Sequence, residues 1–335
     1  MIKKKNKTLK RNSIKSMKLI WLGVIMFVVI LSAVRVTTSA KNGKANRYVQ
    51  DKIIYQQKDN GTLSVCGFKK GITTAHIASS VNGRKVASIN WGAFYKCKTL
   101  TSVTIPSSVK NIGGDAFYCC KKMKKISISN SVKRIGRFAF GGCNSLESMD
   151  IPDNLKMIDS GLFTDCTALT NITIPQGVVY ISSDAFSGCT KLSNIAVNKN
   201  NALYSSKEGV LFNKDTTQLI CYPIGKKQRS YTVPKEVQSI GSHAFKKCSQ
   251  LKSVTISKNV KTVGAFSFDC CAALTKVTME DGVKTIDGFA FNGCSSLEKI
   301  TIPKSVTTIG YTIFSGCNKN LKITYEGPQK NVKWF

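Results

Sequence analysis

Residues 97–120 read CKTLTSVTIPSSVKNIGGDAFYCC, and their apolar positions are Leu100, Val103, Ile105, Val109, Ile112, Ala116, Phe117 and Cys120. Val103 and Ile105 alternate with Ser102 and Thr104, the period of two that marks a strand with one buried face. Pro106 ends that strand, because it has no N–H to give a central ladder. A second extended piece, Val109 to Ile112, leads into Gly113, whose freedom at positive φ suits a sharp corner. Asp159 and Asp287 replace that glycine in two other copies, and Asp tolerates such backbone better than most residues. Ala116, Phe117 and Cys120 then close the unit on a half-turn of helix too short to stand alone.

The unit recurs. Phe94, Phe117, Phe140, Phe163, Phe186, Phe245, Phe268, Phe291 and Phe314 each precede a cysteine by three residues. Those cysteines are Cys97, Cys120, Cys143, Cys166, Cys189, Cys248, Cys271, Cys294 and Cys317, spaced by 23 with a single gap of 59. Such self-similarity predicts a repeat solenoid in which each unit buries its apolar face only against its neighbours. Ten strand segments at about 4.8 Å would make one sheet roughly 50 Å long, an area suited to a protein or polymer partner.

The pattern L-x-x-I-x-I-P-x-x-V-x-x-I-G-x-x-A-F-x-x-C resembles the BspA-like, or Treponema-type, class of bacterial leucine-rich repeats. One unit carries it in Leu169, Ile172, Ile174, Pro175, Val178, Ile181, Ala185, Phe186 and Cys189, and another in Leu297, Ile300, Ile302, Pro303, Val306, Ile309, Phe314 and Cys317. The resemblance spans residues 89–325, with Met123 in place of Leu, Ser129, Ser257 and Glu280 in place of Pro, and Val263 in place of Ile. It implies a leucine-rich-repeat right-handed superhelix, β-rich with parallel strands and short helical turns. It also implies a role in surface adhesion or host-matrix recognition.

The ends and the gap fix the organisation. Residues 1–40 hold nine basic and no acidic residues, and Leu19 to Val34 is almost wholly apolar before Thr38-Ser39-Ala40. This fits an export signal cleaved after Ala40. Sixteen residues of helix reach only about 24 Å against a ~30 Å hydrocarbon core, which favours cleavage over an uncleaved anchor. Residues 41–88 are expected to form a β-rich cap, with Ile53-Ile54-Tyr55 and Leu63-Ser64-Val65 pairing around Asp59-Asn60-Gly61 over the first coil's open edge. The array then runs over 89–317, with a terminal cap at 318–335. The 36 additional residues in the long gap place a hairpin insert at 198–229, where Gly209-Val210-Leu211-Phe212 and Leu219-Ile220-Cys221-Tyr222-Pro223 project from one coil.

Function is sought on the outward columns. The long strands present Ser102, Thr104, Lys125, Ser127, Asp150, Asn171, Thr173, Thr255, Lys276, Thr278, Lys299 and Thr301. Threonine on an exposed sheet is first a β-propensity choice, and beyond that a hydroxyl-rich concave face able to bond a protein or glycan. Along the second strand Lys110, Lys133, Lys156, Lys261 and Lys284 share one register, a solvated basic face or a track for an anionic polymer such as teichoic acid or a sulfated glycan. The full chain has 50 Lys and Arg against 18 Asp and Glu. Without residues 1–40 the balance is 41 against 18, a net charge of +23.

Catalysis has no foothold in the sequence. Nucleophile-elbow, Walker and H-E-x-x-H motifs are missing, and the only histidines are His76 and His243. His243 falls at a variable corner and reads as a surface residue. The nine column cysteines should stack as small buried hydrophobes in the reduced state. Cys119 and Cys270 point outward, Cys66 and Cys221 stand outside the array, and no C-x-x-C suggests zinc. No cofactor or metal is expected.

The reading is an exported, non-enzymatic binding protein. Its partner is an extracellular protein or glycan, such as a host matrix protein. The alternative is a cell-wall-associated structural protein held by charge to its own anionic polymers. Nucleic acid is disfavoured because the aromatics sit at buried Phe positions rather than among the lysines, and a membrane partner arises only if the N-terminal segment stays uncleaved.

Overall fold

The computed structural model describes residues 46–327 together with the strands Thr37–Thr38 and Lys333–Trp334. The expected export signal or anchor at 1–40 otherwise lies outside the described residues. A typical coil contributes a long strand, a tight turn, a two-residue strand and a corner, and successive coils stack in parallel register, as in Ile126↔Val103 and Ile135↔Ile112. The chain is a β-solenoid of about eleven turns with a period near 23 residues. Among the described residues no helix is present. The expected half-turn of helix at Ala116–Cys120 is a hydrogen-bonded turn, in which Cys120 N–H donates to Phe117 O at 3.1 Å.

The long strands do not form one sheet. Thr74–His76, Ser102–Ile105 and Lys125–Ile128 make the first sheet, and Asn171–Ile174 and Asn194–Val197 the second. Ser230–Thr232, Ser253–Ile256, Lys276–Met279, Lys299–Ile302 and Lys322–Tyr325 make the third. The first break falls at residues 147–151, which form no strand although Met149 and Ile151 stay buried. There the neighbouring turns are joined through side chains, with Asn130 and Asp153 bonded at 3.1 and 3.3 Å. The second break is the insert.

The insert does not project. Tyr204–Lys207, Val210–Asn213 and Gln218–Cys221 form an antiparallel meander, and the last strand pairs in parallel with Ser239–Ile240. In Val210–Asn213, residues Val210, Leu211 and Phe212 are buried, so that this strand is covered on both faces. Leu211 packs into the core of the preceding coils, whereas Val210 and Phe212 pack into the core of the following ones. Strand alternation thus makes one segment the wall between two apolar cores.

Why phenylalanine and cysteine recur becomes clear in the interior. The rings of Phe94, Phe117, Phe140, Phe163 and Phe186 stack at centroid spacings of 5.2, 5.7, 6.0 and 5.8 Å. The file continues from Phe245 to Phe314, with Tyr222 in the phenylalanine place at 5.0 Å from Phe245. From Cys120 onward the column thiols donate to the carbonyl of the ring residue in the preceding coil: Cys120 to Phe94 at 3.1 Å, Cys143 to Phe117 at 3.2 Å and Cys271 to Phe245 at 3.0 Å, with Cys248 donating to Tyr222 O. The phenylalanine carbonyl also accepts the N–H of its own coil's cysteine, so both lone pairs are satisfied in an apolar interior. Cysteine is the small apolar residue that can do this. Burial pushes the Cys120 and Cys166 thiols up to about 12, which keeps them protonated donors.

Gly113 serves close packing rather than the expected positive φ. Its φ is not positive, but a Cβ there would lie 2.4 Å from the Trp91 backbone nitrogen of the preceding coil. Gly136 and Gly310 are pressed the same way, at 2.5 Å from Gly114 N and 2.2 Å from Gly288 N. The left-handed backbone sits two residues later, at Asp115, Phe138, Gly161, His243, Phe266, Phe289 and Thr312, and again just before the column cysteine, from Lys96 and Cys119 to Gly293 and Gly316.

At the N-terminal end, Ile53–Gln57 and Leu63–Phe68 pair antiparallel, and the latter pairs in parallel with Arg84–Ile89. Here two array columns extend upstream of the recognisable repeats. Phe68 stacks on Phe94 at 5.8 Å, and His76 lies beside Thr104.

Candidate functional site

The alternation that buries Val254, Val277 and Ile300 turns the residues between them outward. In the five-stranded sheet two outward files result. One runs Ser230, Ser253, Lys276, Lys299 and Lys322, and the other Thr232, Thr255, Thr278, Thr301 and Thr324. Lys276, Thr278 and Lys299 are exposed, and Thr255 and Thr301 are half-buried. In the first sheet Thr104, Lys125 and Ser127 are exposed beside a half-buried Ser102, and in the second Asn171 and Thr173 are exposed. Asp150 is exposed but belongs to no strand, so the structure separates it from the files on either side. A groove of about 550 Å³ lies on the five-stranded face along two adjacent strands, lined by Lys276, Thr278, Lys299 and Thr301 together with Glu298 and Glu326.

The lysines of the opposite face form two groups. Lys133 N–H donates to Lys110 O at 2.9 Å and Lys284 N–H to Lys261 O at 2.8 Å, so these pairs are adjacent rungs. Lys156 is followed by Val179, which bonds its carbonyl, and the register then passes through Thr217 and Gln238 before Lys261. Lys133, Lys156, Lys261 and Lys284 are exposed. The half-buried Lys110 donates to the Ser107 carbonyl at 3.0 Å.

Two features escape the sequence reading. Lys191, Lys227 and Arg229 line a larger groove, about 970 Å³, where the insert rejoins the array. Their link is not in the repeat, because two of them lie inside the insert. The second feature is an outer file of aromatics at the corners, so the aromatic residues are not confined to the core. Tyr95 stacks on Tyr118 at 5.5 Å, and His243, Phe266, Phe289 and Tyr311 succeed one another at 5.2, 4.7 and 4.9 Å. Lysines lie over two of these rings, Lys96 over Tyr95 and Lys246 over Phe266. His243, Phe266 and Phe289 stack face to face, whereas Tyr311 meets Phe289 edge-on and is exposed. His243 is accordingly half-buried in this file rather than a surface residue, and burial together with Lys246 holds its imidazole below the usual pKa.

Carboxylates anchor these corners. Asp269 is buried, bonded by Asn292 at 2.6 Å and paired with Lys246 at 3.1 Å. Burial pushes its pKa up, but these partners outweigh it and hold the carboxyl below its ordinary value. Asp184 is held down likewise, against burial, by the Ser182 and Ser160 hydroxyls at 2.6 and 2.8 Å. Among the described residues no three of His, Cys, Asp and Glu come together as a metal-ligand set, and no helix is long and apolar enough to cross a membrane.

The family model of the BspA type leucine rich repeat region, in six copies, matches residues 83–212 and 224–333. The chain belongs to the BspA-type leucine-rich repeat family. The two matched blocks flank the segment 213–223, which holds the last strand of the meander and Tyr222. No curated protein sequence matches this family member significantly. Among solved structures it is similar to a leucine rich cell surface protein from Faecalibacterium prausnitzii, with 26% identity over 88% of this chain and 97% of the other at a TM-score of 0.52. The pneumococcal vaccine antigen PcpA shares its fold, with 24% identity over 86% of each chain and a TM-score of 0.67. So does a leucine-rich repeat protein from Eubacterium ventriosum, with 23% identity, 82% and 95% coverage and a TM-score of 0.50.

Proposed function

We propose that this BspA-type repeat protein is an exported, non-enzymatic binding protein that acts at the cell surface in adhesion or in recognition of a host matrix protein. The observation that carries this reading is the five-stranded face. Five hydrogen-bonded strands present Thr, Ser and Lys outward in two continuous files, and the central three turn every second side chain into the core. Such a face offers repeated hydrogen-bond partners at fixed spacing while contributing little to the core, and solenoids use extended surfaces of this kind for binding. The likeness to a protein described as a cell surface protein supports placement outside the cell.

The paired rungs Lys110–Lys133 and Lys261–Lys284 favour a second reading, retention on the producer's own wall by anionic polymers. Like charges on adjacent rungs repel, and a polyanion would relieve that repulsion. A binding series against immobilised matrix proteins and cell walls separates the two. Binding to one matrix protein that persists from about 0.05 to 0.3 M salt supports the first reading. Wall binding that collapses over that range, as the Debye length shortens from roughly 14 to 6 Å, supports the second. Binding to neither contradicts both.

A further inference from the structure

We propose that the groove at the insert junction is a binding site for a sulfated polysaccharide. This deepens the reading of the chain as a binding protein and rests on it. The groove exists because the insert ends by pressing its chain back onto the preceding coil. Gly225 N–H donates to Leu192 O at 2.8 Å, and a Cβ on Gly225 would lie 2.4 Å from the Lys191 carbonyl carbon. Arg229 is fixed on the other side, its carbonyl accepting the N–H groups of Lys252 and Ser253 at 2.7 and 3.0 Å. Hydrogen bonds thus hold the backbone on both sides of a groove of about 970 Å³.

Three cations enter that volume, Lys191, Lys227 and Arg229, and no carboxylate lines it. Each is exposed. Among the described residues the ion pairs are Arg137–Asp159, Lys246–Asp269 and Lys304–Asp281, so none of the three cations is neutralised in this way. The basic run Lys226-Lys227-Gln228-Arg229 is divided by the fold. Lys226 turns inward, donates to the Glu208 carbonyl at 2.6 Å and lies over the Tyr222 ring at 5.9 Å. Gln228 accepts from the Tyr222 hydroxyl at 3.3 Å. Lys227 and Arg229 are left for the groove.

The lining chooses the ligand class. Beside the cations stand hydroxyls and an amide, among them Ser193, Ser249 and Gln250, and the one large apolar side chain is Ile224. A bound acidic peptide would call for a desolvated pocket for an aromatic or aliphatic anchor, which this lining lacks. Sugar hydroxyls match Ser, Thr and Gln, and sulfate groups match a guanidinium fork and ammonium groups. A stiff sugar chain also loses less entropy in such a groove than a flexible polyol phosphate does.

The test uses the full chain and heparin as the probe, with desulfated heparin, poly-glutamate and poly(glycerol phosphate) as comparison ligands, at about 0.15 M salt. Lys191→Ala/Lys227→Ala/Arg229→Ala is compared with Lys133→Ala/Lys261→Ala/Lys284→Ala, which removes the same charge from the second-strand register outside the groove. The expected result is a loss of heparin affinity of about tenfold or more in the groove variant and less than about twofold in the other. Desulfated heparin, poly-glutamate and poly(glycerol phosphate) should bind about tenfold more weakly than heparin. Equal losses in the two variants, or tighter binding of poly-glutamate or poly(glycerol phosphate) than of heparin, overturns the proposal. Absence of heparin binding with retained matrix-protein binding sinks the groove alone. Absence of both sinks the binding-protein reading as well.

Discussion

Replacing Phe140 by alanine should cost far more than the same change at Phe314. Phe140 is fully buried and sandwiched between Phe117 at 5.7 Å and Phe163 at 6.0 Å. Removing a fully buried phenylalanine costs about 3–5 kcal/mol in transfer and cavity terms, and here both ring contacts of the file are lost together. Phe314 is half-buried and stacks on one side only, against Phe291 at 5.9 Å. With one neighbour and part of the ring already in water, its loss should be roughly half as large, about 2 kcal/mol. A solenoid adds a topological difference. The central change uncouples coils on both sides, whereas the terminal one frays only the last coil.

Urea unfolding followed by far-UV circular dichroism reads this directly. With an m-value of about 3 kcal/mol/M, a 4 kcal/mol loss moves the midpoint by roughly 1.3 M. The Phe314→Ala shift should be no more than about half of that. Equal shifts would refute the argument that each ring is held by its two neighbours, and a larger shift at Phe314 would refute it more severely.

Other consequences are as specific. Gly136→Ala places a Cβ 2.5 Å from Gly114 N and should cost about 3 kcal/mol or more, whereas Lys247→Gly relieves a left-handed φ of 60° and should stabilise by up to about 1 kcal/mol; thermal melts would show both signs. In native protein the exposed Cys270 should react first with a thiol reagent, and Cys143, Cys166 and Cys189, held protonated by burial, should react only on unfolding. Rapid modification of Cys143, Cys166 or Cys189 without loss of structure would contradict their hydrogen-bonded role. Because Asp184 and Asp269 titrate below their ordinary values when folded, their stabilisation is complete above the unfolded carboxyl pKa of about 3.9. It is lost as pH falls through the lower folded values. Asp269→Asn should therefore flatten the fall in melting temperature below about pH 4, and an unchanged acid slope would count against it.

The coil itself was legible because its signal repeats. A single Val-x-Ile pair is ambiguous, but nine registers with Phe and Cys in place leave one solution. What stayed hidden was set by neighbours rather than by period. Gly113 looks like a corner glycine until the preceding coil's Trp91 backbone is placed 2.4 Å from its missing Cβ. The thiol-to-carbonyl bond spans 26 residues, and nothing in a single unit announces it. The upstream extension was masked because Phe68 precedes Phe94 by 26 residues rather than 23. The insert carried the pattern of a hairpin, but its burial on both faces depends on the two cores that meet there. The outward columns were read from alternation, and the structure brings Thr255, Lys276, Thr278, Lys299 and Thr301 onto one face while separating Asp150 from it. Lys191, Lys227 and Arg229 share no register, so only the folded insert brings them together.

The most direct test of the proposed function compares two surface variants for binding to immobilised matrix proteins at about 0.15 M salt. One is Lys276→Ala/Thr278→Ala/Lys299→Ala/Thr301→Ala on the five-stranded face, and the other is Lys133→Ala/Lys156→Ala/Lys261→Ala/Lys284→Ala on the opposite face. If the five-stranded face is the recognition surface, the first variant loses about tenfold in affinity although it sheds two charges where the second sheds four, and the second binds like the unaltered protein. An equal or larger loss in the second variant would contradict the account and assign binding to charge alone.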